Sequence, residues 1–113
     1  MSSEPSQHDQ PLGVSDEDAL DELVASSETV LVEFYTNGCG ICQSMEPVLG
    51  VLAKSTDATV ATINPRDDPG LVERFQVQSV PLLVLFADGE EVARRAEGFV
   101  GADDLRDWID GHR

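Results

Sequence analysis

Val30-Leu31-Val32-Glu33-Phe34-Tyr35-Thr36-Asn37-Gly38-Cys39-Gly40-Ile41-Cys42 is the stretch that decides how this chain folds. Residues 30–36 are apolar, β-branched or aromatic, apart from Glu33, which is the composition of a strand buried in a sheet. Asn37-Gly38 marks a turn. Cys39 then stands at the start of a helical stretch with Met45, Val48, Leu49 and Leu52 on its apolar face. Pro47 falls inside that helix, where it is expected to kink it.

On the N-terminal side, Ser15 followed by Asp18 reads as a helix start, and Leu20, Leu23 and Val24 recur at helical spacing. On the C-terminal side, residues 58–63 read as a second buried strand and residues 64–70 as a polar connection. Residues 71–75 are expected to form a short helix with Leu71, Val72 and Phe75 on its apolar side. Residues 81–86 read as a third strand, Asp88-Gly89 as a hairpin turn, and residues 90–96 as the returning strand. Gly101 precedes a final helix with Leu105, Trp108 and Ile109 at helical spacing and facing the core.

Strands that alternate with helices pair in parallel, and the terminal hairpin adds an antiparallel edge. The expected fold is therefore an α/β sandwich of three layers, with a mixed central sheet of four strands. Leu12 to Val14 would make a fifth. Residues 1–14 read as a mobile polar tail and residues 15–113 as one domain, with no internal repeat.

Composition narrows the function. Net charge is −15, from 22 acidic residues against 7 Lys plus Arg, and Lys54 is the only lysine. A surface this acidic repels phosphate backbones and anionic lipid, so neither nucleic acid nor a membrane is an expected partner. No apolar run approaches the roughly 20 residues of a membrane span. No apolar signal stretch stands at the N-terminus, which points to the cytoplasm. The acids are spread along the chain, as in a solvated shell. Salt adaptation is one reading of that shell, because 1 M salt screens charges within about 3 Å; an ordinary acidic protein is the other.

The two cysteines, Cys39 and Cys42, are separated by two residues. A helix N-terminus stabilises a thiolate, so Cys39 is placed as an exposed nucleophile. Cys42 follows about one turn later, within reach of Cys39. It can attack a mixed disulfide on Cys39 and release the reduced partner. Zinc needs four ligands, and no second cysteine pair exists; His8 and His112 lie near opposite ends. A structural disulfide closing so short a loop removes little chain entropy. Inert buried thiols fit poorly with the turn residues around Cys39. A carboxylate at Glu33 inside a buried strand should have a raised pKa, and could accept the Cys42 proton. Alternatively its side chain reaches water.

Residues 32–42 resemble the active-site strand and turn of the thioredoxin family. The resemblance continues at Pro47, Val80-Pro81, Phe86-Ala87-Asp88-Gly89 and Gly98, and spans nearly all of residues 15–109. It implies that Cys39 attacks, that Cys42 resolves, and that a cis Pro81 lies against their disulfide. Without the resemblance, Pro81 reads as a strand start with the commoner trans bond. The resemblance further implies a substrate groove at Gly38, Gly40, Ile41, Val80, Pro81, Gly98 and Phe99. It implies a monomer with no cofactor of its own, which reduces disulfide-containing client proteins with electrons from a thioredoxin-reductase-type donor.

This chain departs from the family's usual residues at several places. Gly38 stands where the family usually has Trp, Ile41 where it has Pro, Glu33 where it has Asp and Leu82 where it has Thr. Thr62 replaces a lysine often found near the buried acid. One alternative to a reductase is a more oxidising exchanger or isomerase, with Ile41 shifting the balance, against which the cytoplasmic setting argues; the other is a thioredoxin-like adaptor whose cysteines sense redox state without turning over.

Overall fold

The computed structural model describes residues 9–113. Its elements run β1 (Leu12–Val14), α1 (Glu17–Ser26), β2 (Thr29–Phe34), α2 (Gly40–Ser55), β3 (Thr59–Ile63), α3 (Gly70–Phe75), β4 (Leu82–Ala87), β5 (Glu90–Arg95) and α4 (Ala102–Asp110). A short 3-10 turn, Pro65–Asp67, lies between β3 and α3.

The sheet has five strands in the order β1-β3-β2-β4-β5. β2 is central. It pairs in parallel with β3 and antiparallel with β4. The alternation along β2 divides the core. Val30, Val32 and Phe34 face a cluster with Leu20 and Val24 of α1 and Leu71 and Phe75 of α3. Leu31 faces the other cluster, with Met45, Leu49 and Leu52 of α2 and Leu105 and Ile109 of α4. Because successive strand side chains point to opposite faces, Glu33 points to the α2 side, as does its β3 partner Thr62.

Several boundaries differ from the sequence reading. Residues 12–14 are not tail. Leu12, Gly13 and Val14 pair in parallel with Ala61, Thr62 and Ile63, which satisfies the backbone groups of the β3 edge. Of the rest of the expected tail, residues 9–11 are irregular and residues 1–8 lie outside the described residues. The cap of α1 is Asp16, not Ser15: its side chain accepts the Ala19 N–H at 2.9 Å. Aspartate caps as well as serine does, so the neighbouring candidates differed only in how the chain leaves β1. Val72 is exposed, because Leu71 and Phe75, four apart, already define the buried stripe of a helix six residues long. Trp108 is only partly buried. It packs against the α2–α4 cluster, and the Arg95 guanidinium lies over its ring at 5.4 Å from the centroid.

The hairpin turn is as expected. Asp88 and Gly89 both have positive φ (53° and 86°), the geometry of the tight turn that matches strand twist. Pro47 sits inside an uninterrupted α2, where it removes one N–H from the helix ladder. Among the described residues, no helix is long and apolar enough to cross a membrane.

Candidate active site

β2 ends at Phe34, and residues 35–39 carry the chain over the edge of the sheet to α2. Gly38 makes this possible at φ +83°, a conformation that side-chain-bearing residues rarely adopt. Cys39 is the N-cap of α2 and Cys42 lies in its first turn. The two are joined in a disulfide. The Cys42 backbone N–H donates to Cys39 Sγ at 3.1 Å. This contact is the local reason for the spacing. An N-cap atom accepts a free amide of the first turn, and here the accepting atom is sulfur. The same amide and the helix dipole favour negative charge on Cys39 once the disulfide is opened. Cys39 is partly exposed, whereas Cys42 is buried.

The two sulfurs have different surroundings. Cys39 Sγ stands 4.0 Å from the Val80 carbonyl oxygen. The following Val80–Pro81 peptide bond is cis. Cys42 borders a cleft that Glu33, Gly38, Glu46 and Thr62 also line. Glu33 is 2% exposed, and its Oε2 has no hydrogen-bond partner among the described residues. Burial, reinforced by the negative charge of Glu46, pushes its carboxyl up to about 7 from the ordinary 4.5. The side chain is almost wholly buried, forming part of the wall of the cleft. Among the described residues, no cation lines the cleft; Thr62 occupies the β3 register position beside Glu33.

The remaining candidates sit around the rim. Gly40 and Ile41 are exposed at the start of α2. Gly98, at φ +92°, and the exposed Phe99 lie on the loop between β5 and α4. The next residue fixes that loop to α2: the Val100 N–H donates to Met45 Sδ at 3.5 Å. The cleft thus unites Glu33, Gly38 and Cys42, while Gly40, Ile41, Val80, Pro81, Gly98 and Phe99 lie outside it. Among the described residues, no three His, Cys, Asp or Glu side chains come together as a metal-holding group.

Residues 12–111 match the thioredoxin family. The chain belongs to that family. A thioredoxin of Mycobacterium tuberculosis is 39% identical over 83 residues, which are 72% of this chain and 72% of that protein. The bifunctional thioredoxin reductase/thioredoxin of Mycobacterium leprae is 33% identical over 99 residues, 86% of this chain but 22% of that protein. Among solved structures, a mutant thioredoxin from Halobacterium salinarum NRC-1 superposes with a TM-score of 0.89, at 39% identity and 96% coverage of both chains.

As a member of the thioredoxin family, the chain is a thiol–disulfide oxidoreductase acting on protein disulfides, with Cys39 and Cys42 as its redox pair. The residue that sequence reading passed over is Glu46. It borders the same cleft as Glu33, and the signal for it was its spacing, four residues after Cys42 on α2.

Proposed function

We propose that this chain works as a monomeric, cytoplasmic reductase of disulfide-containing client proteins, with Cys39 as the attacking and Cys42 as the resolving sulfur. The observation that carries the assignment of roles is the asymmetry of the pair: Cys39 partly exposed at the helix N-terminus, Cys42 buried beside Glu33. The Cys39 thiolate attacks one sulfur of a client disulfide. That S–S bond breaks, and the first client thiolate leaves. Glu33 then takes the proton of the Cys42 thiol. The Cys42 sulfur attacks Cys39 Sγ, which closes the Cys39–Cys42 disulfide and releases the second client thiolate. Two electrons pass to the client. Glu33 suits the task because a base whose pKa lies near the working pH both accepts the proton and gives it up.

The exposed Ile41 and Phe99, with Gly38, Gly40, Val80, Pro81 and Gly98, supply the groove for the client. Reduction of the spent disulfide falls to a thioredoxin-reductase-type donor. A relative that carries both activities in one chain supports that pairing. The net charge of −15 supports work at high salt.

The test is insulin reduction by dithiothreitol at low and at multimolar KCl, with wild type and Cys39→Ser. Turnover by wild type, greatest at high salt and lost in Cys39→Ser, is expected. A wild type that is inactive at every salt concentration would overturn the reductase reading. Activity that did not rise with KCl would remove the salt adaptation.

A further inference from the structure

Glu46 has no part in the scheme above, yet its position is specific. It lies one helical turn beyond Cys42, on the same side of α2. It is exposed, and it borders the cleft whose inner wall holds the buried Glu33 carboxyl. It takes part in none of the ion pairs among the described residues.

The groups that surround Glu33 are few. β3 offers Thr62 and β4 offers Leu83, and neither carries charge. From α2 come Cys42, Gln43 and Glu46; from the segment after β2 comes the Tyr35 phenol. Among the described residues, Glu46 is therefore the one group there that is charged at neutral pH besides Glu33 itself. A negative charge at the mouth of the cleft makes it harder for the buried inner carboxyl to lose its proton.

We propose that Glu46 is a positioning residue for the resolving step: from the mouth of the cleft, its charge sets how tightly Glu33 holds the proton taken from Cys42. The inference rests on the reading of Glu33 as the base. It gives the exposed glutamate a role that a helix-surface residue does not otherwise have. It also ties the step to ionic strength. Glu46 is exposed and Glu33 is buried, so salt screens the influence of Glu46 on Glu33 while leaving the cost of burying Glu33 in place. The acidic surface and the proton of the active site are thereby linked through one residue.

The experiment is a pH titration of the Glu33 carboxyl in the oxidised protein by carbon NMR, beside the pH profile of insulin turnover, for wild type, Glu46→Gln and Glu46→Lys. In dilute buffer, Glu46→Gln should raise the ratio of ionised to protonated Glu33 at pH 6 about threefold. Glu46→Lys should raise it further. The acid limb of turnover should move to lower pH in the same order. Multimolar KCl should bring wild type close to Glu46→Gln and leave Glu46→Gln nearly unmoved. A Glu33 midpoint that stays put in both variants would overturn the proposal, as would a shift that multimolar KCl does not diminish. Failure of the underlying base reading looks different: Glu33→Gln would then keep the wild-type pH profile, whatever Glu46 does to the midpoint.

Discussion

The two faces of the central sheet are built from the same strands but do different work. On the α1–α3 face, the core is apolar throughout and closes on three rings. Phe34 and Phe75 lie 5.2 Å apart between centroids, and Phe75 meets Phe86 edge to face at 6.0 Å. The α2–α4 face begins in the same way, with Leu31 against Met45 and Leu49. Two residues further along β2 it changes character, and Glu33, Thr62 and Cys42 come together beside the disulfide. One strand thus packs apolar side chains on its even-numbered side and ends beside the redox pair on its odd-numbered side. Chemistry has been admitted only at one end of one face, where α2 begins and the chain can present sulfur to solvent.

That contrast is open to direct attack. The largest effect should come from the apolar face. Phe34→Ala removes a fully buried ring and should cost about 3–5 kcal/mol of stability, read from denaturant unfolding. The pH profile of whatever protein remains folded should be unchanged. If that profile moved as far as in Glu33→Gln, the two faces would not be separable.

Glu33→Gln comes next, and its signature is a slope. The folded protein holds the Glu33 proton up to about pH 7, the unfolded chain only to about pH 4.5. Between these values the folded state binds the extra proton. The contribution of Glu33 is therefore most favourable below pH 4.5 and is lost as pH rises through 7. Wild type should lose about 3 kcal/mol relative to Glu33→Gln between pH 4 and pH 8. Parallel stability curves for the two proteins would show that Glu33 is not desolvated in solution. The smallest effect belongs to a site remote from both. Asp16→Ala removes the cap of α1 and should cost about 1 kcal/mol with no change in turnover. A loss of activity there would mean that α1 is coupled to the redox pair.

Much of this arrangement was legible in the sequence. The apolar run into Asn37-Gly38-Cys39 placed β2, the turn and α2. The Asp88-Gly89 turn placed the β4–β5 hairpin. Glu33 stood out because it is a charge in an apolar strand, and Thr62 only through the family resemblance, which implies a lysine near the buried acid. Other features were less legible, for local reasons. Leu12 to Val14 are too few and too weakly apolar to announce a strand. They become one because β3 has an open parallel edge beside them. Val72 has the right residue type and period for burial but falls beyond the stripe that Leu71 and Phe75 fill. Glu46 looks like any exposed helix glutamate until the strand register brings Glu33 beneath it.

By itself, then, the sequence determined the order of elements, the mixed sheet and the pair of sulfurs at a helix start. These follow from period, turn chemistry and short spacing, all of which act between residues close in the chain. Only the tertiary structure decided that Cys42 and not Cys39 borders the cleft, and that Glu33 of β2 and Glu46 of α2 share it. Those relations depend on which strands pair and on which face each side chain leaves the sheet. The desolvation that makes Glu33 hold a proton near neutral pH exists only once α2 covers β2.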